Sequence, residues 1–595
     1  MSDRRAATPR PGCQIGGPPH YGRDVRSAGP RQRAPRRDTG GRRGADLVPC
    51  AAVSILSRLP LHPLLLAAFA VLSVYASNLT EVLPVDLGGP FGPLAVAVVG
   101  AAITLLLCSL VLRDWRRGAI LATAAVAAYA FFGRLAPELL GVGLSEQLQL
   151  AVWAVVVVAA GVFAVRVRGA LPSATLALNA FSMLLVAMTL FAIVPYESHR
   201  VAAQGISTPE AGTAITSTKV PNRDIYLIVL DRYGSQWSLQ HRFGITDNDL
   251  PTWLGDQGFQ VVPGARANYR ATDFSLASML SMQMLDEYST DPGRDSGDRT
   301  YARARLERPA AAAFLKDNGY TYYQLGSWYG PTQTNELADV TLSWEHDTEF
   351  ESVLRQSTML PAIDRMLGNT GGEGDEFRDG ARARAEFQFR QLQRLPSVPG
   401  RKFVFAHILL PHPPYVFDAN GGMVVKSTAE TEPEAQLYAN QLQFTNSQVK
   451  QTVDVLLAGP PESDPIIIIM GAEGPFLCRN VDCVDPSVRR LGIRFGVLAA
   501  YYLPDQPAGF FPVDHTHVNT FRMIFDAYFG ANLPPLPDRS YDWPDNQHIY
   551  DFHDITDRLP LPGSSAHPDG IDMPPMDTVG AAASSVPVQD LDPNE

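Results

Sequence analysis

The N-terminal third of the chain is dominated by long apolar runs. Five such runs are separated by short polar loops, and they cover residues 59–76, 93–112, 118–133, 149–165 and 173–195. Each is close to the roughly 20 residues that a helix needs to cross the hydrocarbon core of a membrane. The pattern therefore predicts a five-helix transmembrane domain over 59–196. The first run is not a cleavable signal peptide, because a long polar arm precedes it and four more runs follow.

The loops between these runs predict the orientation. Three arginines follow the second run, at 113, 116 and 117, and two follow the fourth, at 166 and 168. The loops after the first and third runs are mainly acidic, with Arg134 as the exception. Because positively charged loops stay in the cytoplasm, we expect a multi-pass cell-membrane protein with a cytoplasmic N-terminus and an extracytoplasmic C-terminal part. No charged residue lies deep within the runs, which disfavours a transporter or channel.

After a predicted linker over 197–221, short apolar runs alternate with amphipathic segments. The apolar runs are 224–230, 320–325, 403–409, 465–470 and 495–502, and the helical patterns are 304–317, 381–395, 434–457 and 518–529. Continuous apolar runs are typical of buried parallel strands. The predicted fold class is thus a transmembrane helical bundle followed by an α/β domain over 222–555, with a mostly parallel sheet and helices on both faces. Functional groups are expected at the carboxyl ends of its strands.

Charge divides the chain. Residues 1–58 carry twelve Arg, four Asp and neither Lys nor Glu, a net +8; since the whole chain carries −12, the remainder carries −20. The arm has too few apolar residues to fold and is predicted to be a disordered cytoplasmic segment. Basic flanks of a first membrane span are commoner than nucleic-acid-binding tails, so no nucleic-acid partner is expected. The Pro-rich tail over 556–595 is also predicted to be disordered.

Two polar residues follow the predicted elements at positions suited to chemistry. Asp231 ends the first apolar run, where a carboxylate is well placed for a metal but serves equally as a turn former or helix cap. Thr272 precedes a helical run, where its hydroxyl would meet free N–H groups and the positive end of the helix dipole. That position favours a transferring phosphoryl or sulfuryl group, and it is also that of an ordinary N-cap.

Four segments then show a resemblance to a known family. They are PNRDIYLIVLDRYGS, GFQVVPGARANYRATDFSLASML, FAHILLPHPPYVFDANG and VNTFRMIFDAYFGANLPPLPDRSYDW. Together they resemble the sulfatase/alkaline-phosphatase superfamily, in particular its membrane-bound branch of lipoteichoic-acid synthases and phosphoethanolamine transferases. The resemblance implies a metal-binding acid at Asp231, a nucleophile at Thr272, a catalytic histidine at His412, and a substrate-side histidine at His407.

The chain departs from that family after the strand IIIIM. The family usually presents Asp-His-Gly there, whereas this chain reads Gly471-Ala472-Glu473-Gly474. Ala472 cannot bind a metal, but Glu473 is a suitable ligand for a hard cation. The implied ligands are Asp231, Thr272 and Glu473, a set that favours Mn, Mg or Ca over Zn. His515 and His517 are possible substitutes, although surface histidines of this kind are more often solvated.

Two functions remain open. In the first, a metal-activated Thr272 attacks a phosphoryl or sulfuryl ester, with a lipid head group as donor and an envelope glycan or lipid as acceptor. In the second, the site is degenerate and the domain is an envelope binding or scaffold module. Trp328 follows a predicted strand and either lines the substrate pocket or packs in the core. Cys478 and Cys483 are spaced for a small disulfide loop.

Overall fold

The structure is a computed structural model, and it describes residues 59–79, 90–141, 143–167, 171–206, 215–290, 292–344, 349–367, 376–459, 464–475 and 488–559. The basic arm, most of the C-terminal tail, and Cys478 and Cys483 lie outside these ranges, and so does part of the linker. The predictions made for them stay predictions.

Five apolar helices precede the α/β domain: His62–Ser77, Phe91–Leu112, Trp115–Gly141, Glu146–Arg166 and Leu171–Ile206. Four of them are long and apolar enough to cross a membrane, and the first, with 16 residues, is shorter. Its start is fixed by Asn179 of the fifth helix, whose Oδ1 accepts hydrogen bonds from the backbone of Leu61 and His62 at 2.9 and 2.8 Å. The last helix extends to Ile206, so it occupies the first part of the predicted linker.

The α/β domain follows. Its strands are β1 Ile225–Leu230, β2 Gln260–Val261, β3 Thr321–Leu325, β4 Val340–Leu342, β5 Lys402–Ile408, β6 Ile466–Met470, β7 Ala499–Tyr502, β8 Tyr541–Asp542 and β9 His553–Asp554. Its α-helices are Gln236–Phe243, Leu250–Asp256, Thr272–Ser281, Thr300–Glu307, Ala310–Asp317, Gly330–Gln333, Glu349–Gln356, Leu360–Met366, Glu376–Arg394, Lys426–Thr431, Glu434–Leu456, Val488–Phe495 and Asn519–Phe529. Short 3-10 turns cover Asp286–Ser289, Leu395–Ser397 and Thr556–Arg558.

Seven strands form one sheet in the order β2-β7-β6-β1-β5-β3-β4, and β8 and β9 form a separate pair. β1 lies at the centre and pairs in parallel with both β5 and β6, whereas β7 runs antiparallel to its neighbours. Buried apolar side chains cover both faces of the sheet. The predicted fold class is therefore confirmed: apolar helices, then an α/β domain with a mostly parallel sheet between helices.

Two predicted segments are wrong in detail. The run 495–502 is only partly a strand, because Val488–Phe495 forms an amphipathic helix and β7 begins at Ala499. The helical pattern 304–317 is interrupted at Pro309, which lacks the N–H that a continuous helix would need there. One helix therefore ends at Glu307 and the next begins at Ala310.

Candidate functional site

The end of β1 and the start of a buried helix meet at the predicted site. Asp231 follows β1, and its backbone N–H donates to the carbonyl of Ile408 at the end of β5, at 2.9 Å. Thr272 is the first residue of the helix Thr272–Ser281, and the capping position belongs to Ala271 in an extended conformation. Thr272 is therefore not an N-cap. Its Oγ1 lies 3.3 Å from Oδ1 of Asp231 and 3.0 Å from Oε1 of Glu473.

Glu473 is held between two arginines, and these three residues are called the arginine side of the site. Nη2 of Arg232 lies 2.9 Å from Oε1 of Glu473, and Nη2 of Arg494 lies 3.0 Å from Oε2. All three side chains are buried. Arg232 has a φ of 62°, a left-handed conformation that is unfavourable for a non-glycine residue. A hydrogen bond of 2.7 Å from the Tyr438 hydroxyl to the Arg232 carbonyl holds the backbone there.

Two glycines allow the Glu473 loop to approach both arginines closely. A Cβ at Gly471 would collide with the carbonyl oxygen of Tyr233, next to Arg232. A Cβ at Gly474 would collide with the carbonyl oxygen of Ile493, and the Gly474 N–H donates to the carbonyl of Arg494 at 2.7 Å. The Gly-Ala-Glu-Gly sequence is therefore shaped to bring Glu473 against the two guanidinium groups.

Asp231 faces imidazoles instead, and Asp231, His407 and His412 are called the histidine side. Nε2 of His407 lies 3.7 Å from Oδ1 of Asp231, and Nε2 of His412 lies 3.8 Å from Oδ2. His407 belongs to β5, is fully buried, and contacts the Thr332 hydroxyl through Nδ1 at 2.8 Å. Both predicted histidines are thus close to Asp231.

The loop that carries His412 is fixed by Gln441. Its Nε2 donates to the His412 carbonyl at 2.8 Å, and its Oε1 accepts from the Val416 N–H at 2.8 Å. Nδ1 of His412 is in contact with the carbonyl oxygen of Pro413. Since a carbonyl oxygen only accepts, Nδ1 carries a hydrogen, and in the neutral ring Nε2 is a proton acceptor facing Asp231.

Trp328 lies against the other face of the His412 loop. The two rings meet at an angle of 68° with their centroids 5.7 Å apart. Trp328 also lines a small hollow with a mixed polar and apolar lining, together with Ala381, Arg384, Ala385, Gln388, Leu409, Leu410, Pro414 and Val416. The side chain therefore connects the site to a hollow and is not simply part of the sheet core.

Asp273, the residue after Thr272, forms ion pairs with two further arginines that the sequence analysis did not identify. Its carboxylate is fully buried and lies 3.1 Å from Nη1 of Arg299 and 3.1 Å from Nε of Arg303. Arg303 belongs to the helix Thr300–Glu307, which packs against the last apolar helix near Tyr196. The helix Thr300–Glu307 thus links that apolar helix to the residue beside Thr272.

Burial and neighbouring charges shift the pKa values at the site. Burial raises the pKa of the Glu473 carboxyl to about 8, against the opposing effect of Arg232. Burial also acts to raise the pKa of Asp231, but the neighbouring His407 ring and the charges of His412 and Arg232 hold it below its ordinary value. Burial lowers the pKa of His412 to about 4, although Asp231 opposes this shift. Asp231 is therefore the permanently charged carboxylate of the pair.

The predicted metal ligands meet, but their surroundings do not fit a divalent cation. Both oxygens of Glu473 lie within 3.0 Å of a guanidinium nitrogen, and Ala472 is buried in the core. With both carboxylates ionised, Asp231, Glu473, Arg232 and Arg494 already sum to zero charge; protonation of Glu473 would make the sum positive. Within the described ranges, no group of three or more His, Cys, Asp or Glu side chains is arranged to hold a metal ion.

His515 and His517 correct one expectation. They were expected to be solvated, but both are fully buried. His515 contacts the Thr520 hydroxyl through Nε2 at 3.0 Å and packs against Phe511, with ring centroids 4.3 Å apart. Tyr501 and Phe511 both pack against the His515 ring, and this packing depends on how the chain folds rather than on the residue type alone. No described contact joins either ring to Asp231, Thr272 or Glu473.

Comparisons with known proteins give structural matches only; no protein-family model and no curated protein matches the chain. It is similar to the C-terminal periplasmic domain of EcEptC from Escherichia coli in complex with Zn, at 10% identity over 57% of this chain and 94% of that one, with a TM-score of 0.37. It is also similar to the soluble domain of lipooligosaccharide phosphoethanolamine transferase A from Neisseria meningitidis, at 11% identity over 52% and 88%, with a TM-score of 0.34.

A third similar structure is a putative sulfatase from Bacteroides thetaiotaomicron, at 12% identity over 55% of this chain and 75% of that one, with a TM-score of 0.34. Phosphoethanolamine transferases and sulfatases are the classes that the sequence motifs resemble. At these identities and TM-scores, the similarity assigns no activity to this chain.

Proposed function

We propose that the α/β domain transfers or hydrolyses a phosphoryl group, or less favourably a sulfuryl group, of an ester at the outer face of the cell membrane. The observation that carries this proposal is the position of the Thr272 hydroxyl. It stands at the first residue of a buried helix, within 3.3 Å of Asp231 and 3.0 Å of Glu473. A hydroxyl between two carboxylates has a proton acceptor at hand, as an attacking nucleophile requires.

The steps follow from these distances. Oγ1 of Thr272 attacks the phosphorus while its proton passes to the nearer carboxylate oxygen, on Glu473. The Thr272–phosphorus bond forms as the bond to the leaving oxygen breaks, and the leaving oxygen takes a proton from solvent. An acceptor hydroxyl or water then loses its proton to Nε2 of His412 and attacks the phosphorus. Thr272 recovers its proton from Glu473, and His412 returns its own to solvent.

This assignment gives His412 a different task from the one its motif implies. The motif suggests a residue that stabilises or protonates the leaving group. With Nδ1–H committed to the Pro413 carbonyl, however, the neutral ring presents only a proton acceptor towards Asp231. His412 is therefore better suited to activate the acceptor, and His407 to keep Asp231 in place.

The membrane is the expected site of the substrate. Four helices are long and apolar enough to cross it, and Tyr196 of the last one contacts the helix that supports Asp273. We propose a cytoplasmic N-terminus, an extracytoplasmic α/β domain, a phospholipid head group as donor and an envelope glycan or lipid as acceptor.

A binding module without turnover is the second candidate, because the site is closed. Thr272, Asp231 and Glu473 are only 9%, 3% and 1% exposed. Access to phosphorus would require a local opening around Thr272. In a binding module the same residues would stabilise the fold.

Turnover and covalent labelling separate the two candidates. The full chain in detergent would be assayed with p-nitrophenyl phosphodiester and p-nitrophenyl sulfate probes, and the peptide containing Thr272 would be examined for phosphorylation by mass spectrometry. We expect Thr272→Ala to lower turnover by at least about 10³-fold, a loss of about 4 kcal/mol of transition-state stabilisation, and Thr272→Ser to retain part of it. Equal turnover in Thr272→Ala and the unmodified chain would support the binding module.

A further inference from the structure

We infer that Arg232 and Arg494 supply the positive charge of this site in place of a divalent metal ion, and that the site binds a phosphate or sulfate oxyanion without metal. The oxyanion part rests on the proposed function, whereas the charge balance does not. The resemblance of the sequence implies a metal held by Asp231, Thr272 and Glu473. The surroundings of those three residues argue for a different arrangement.

The first argument is the state of Glu473. Its Oε1 lies 2.9 Å from Nη2 of Arg232 and its Oε2 lies 3.0 Å from Nη2 of Arg494. A hard cation would need to approach one of these oxygens to about 2.0–2.6 Å. It would then lie beside a guanidinium nitrogen that is within 3.0 Å of the same oxygen, and the two positive charges would repel each other. The approach would require one arginine to leave a position in which it is almost fully buried.

The second argument is the charge of the cluster. With Glu473 ionised, two carboxylates and two guanidinium groups sum to zero, and with Glu473 protonated the sum is already positive. A divalent cation would therefore leave at least two uncompensated positive charges among residues that are at most 9% exposed. Uncompensated charge in a buried site is costly because the interior screens it poorly. Two arginines, in contrast, complete the balance without any added ion.

The third argument is that the backbone is built for the arginines. Arg232 keeps an unfavourable left-handed φ of 62°, and glycines stand at both points where the Glu473 loop touches the arginine-bearing segments. An alanine at either glycine would force these segments apart. The unfavourable φ of Arg232 and the two glycines therefore both serve to bring Glu473 into contact with Arg232 and Arg494.

Such an arrangement suits a tetrahedral oxyanion. Guanidinium groups present several N–H donors in a plane and bind phosphate and sulfate oxygens in pairs. Thr272 begins a ten-residue helix, whose amino end also favours negative charge. The fully buried ring of His407, which lies 3.7 Å from Asp231, has no hydrogen-bond partner at Nε2.

The test uses the full chain in detergent, purified with and without EDTA. We expect far less than one Mn, Mg, Ca or Zn ion per chain, an unchanged melting temperature in EDTA, and no rise on adding any of these ions. Inorganic phosphate, with sulfate as a second probe, should raise the melting temperature equally with and without EDTA. One tightly held ion per chain, with EDTA lowering the melting temperature and abolishing the phosphate effect, would overturn the inference.

Variants locate the effect. Arg494→Gln should lose the phosphate-induced rise, and Arg494→Lys should keep part of it. Arg308→Gln is the matched control, because it removes the same charge from a pair with Glu336 that is 40% and 24% exposed. If Arg494→Gln does not fold, the EDTA and metal measurements on the unmodified chain still show whether the site holds a metal ion. A phosphate rise of equal size in Arg494→Gln and Arg308→Gln would overturn the inference.

The two proposals fail in different ways. Turnover that depends on Thr272 but also needs added metal would preserve the proposed function and refute the arginine assignment. Metal-free phosphate binding, with equal turnover in Thr272→Ala and the unmodified chain, would preserve the arginine assignment and refute the proposed function.

Discussion

The two carboxylates beside Thr272 are the same chemical group in different surroundings. Glu473 contacts two guanidinium groups at 2.9 and 3.0 Å, whereas Asp231 faces two imidazoles at 3.7 and 3.8 Å. Guanidinium groups stay charged at any physiological pH, so Glu473 is surrounded by fixed positive charge. The imidazoles of the histidine side lie farther from Asp231, and His412 turns Nε2 towards it as a proton acceptor. The arginine side thus supplies fixed positive charge, whereas the histidine side offers an acceptor for the proton of an attacking hydroxyl.

Deleting each carboxylate tests this difference with the largest expected effect. Glu473→Ala should cost about 3–5 kcal/mol of unfolding free energy, because it leaves two buried guanidinium groups without their partner. Asp231→Ala should cost about 1–3 kcal/mol, since the neutral His412 ring needs no opposite charge beside it. The measurement is urea unfolding of the full chain in detergent, followed by tryptophan fluorescence. Equal losses of unfolding free energy in the two variants would mean that the charged neighbours of Glu473 and the imidazole neighbours of Asp231 do not affect stability differently.

Acid should weaken the domain through buried histidines outside both sides. Burial lowers the pKa of His517 to about 3, and burial with the charge of His517 lowers that of His515. The unfolded state, with a histidine pKa of about 6.5, binds more protons, so this stability is complete above about pH 6.5 and is lost as the pH falls. His517 should account for about 2 kcal/mol between pH 7 and pH 5, and His515 should add to the loss in the same direction.

His517→Gln calibrates that contribution. Its stability should fall less steeply between pH 7 and pH 5 than that of the unmodified chain, in the same urea assay. The acid sensitivity that remains after subtraction of this contribution can then be assigned to other groups, including the histidine side. An unchanged slope in His517→Gln would show that His517 is not neutral and buried in the native state.

Replacing arginine by lysine tests whether the geometry of the arginine side matters beyond its charge. Arg494→Lys should cost about 1–2 kcal/mol, because a lysine keeps the charge but cannot present the planar set of donors. Arg308→Gln, in a partly exposed pair, should stay within about 0.5 kcal/mol of the unmodified chain. Unfolding in urea reports both values, and a larger loss in Arg308→Gln than in Arg494→Lys would contradict the assignment.

The smallest expected effect lies on the histidine side. His407→Phe keeps a ring of similar size and removes the contact with the Thr332 hydroxyl, which still has Ser327 as a partner at 2.7 Å. We expect a cost of about 1 kcal/mol, typical of one hydrogen bond. If the proposed function holds, turnover should fall more than stability, because Asp231 loses a neighbour that orients it. Loss of stability as large as in Glu473→Ala would refute a proton-handling role for this side.

The sequence predicted most of the sheet and the meeting of the central residues. β1, β5 and β6 are continuous apolar runs, and the carboxyl ends of neighbouring parallel strands share one edge of the sheet. Asp231 and Glu473 follow β1 and β6, so their approach could be inferred from the pattern. The two-residue strand β2 and the three-residue strand β4 are too short to show a period.

The arginines could not be predicted from the sequence in the same way. Charged side chains are usually exposed, so Arg494 in VRRLGIRF reads as the polar face of a surface helix. Its partner Glu473 is 21 positions away, and only the folded loop joins them. Arg232, directly after Asp231, and the glycines around Glu473 were visible signals. Arg299 and Arg303 were likewise hidden, because their partner Asp273 lies in another helix.

The most direct test of the arginine assignment is anomalous diffraction from crystals of the full chain grown with Mn²⁺. The account predicts no anomalous peak beside Glu473, with the Arg232 and Arg494 guanidinium groups in contact with its carboxylate. A peak at about 2.0–2.6 Å from oxygens of Asp231 and Glu473, with either arginine displaced, would contradict it.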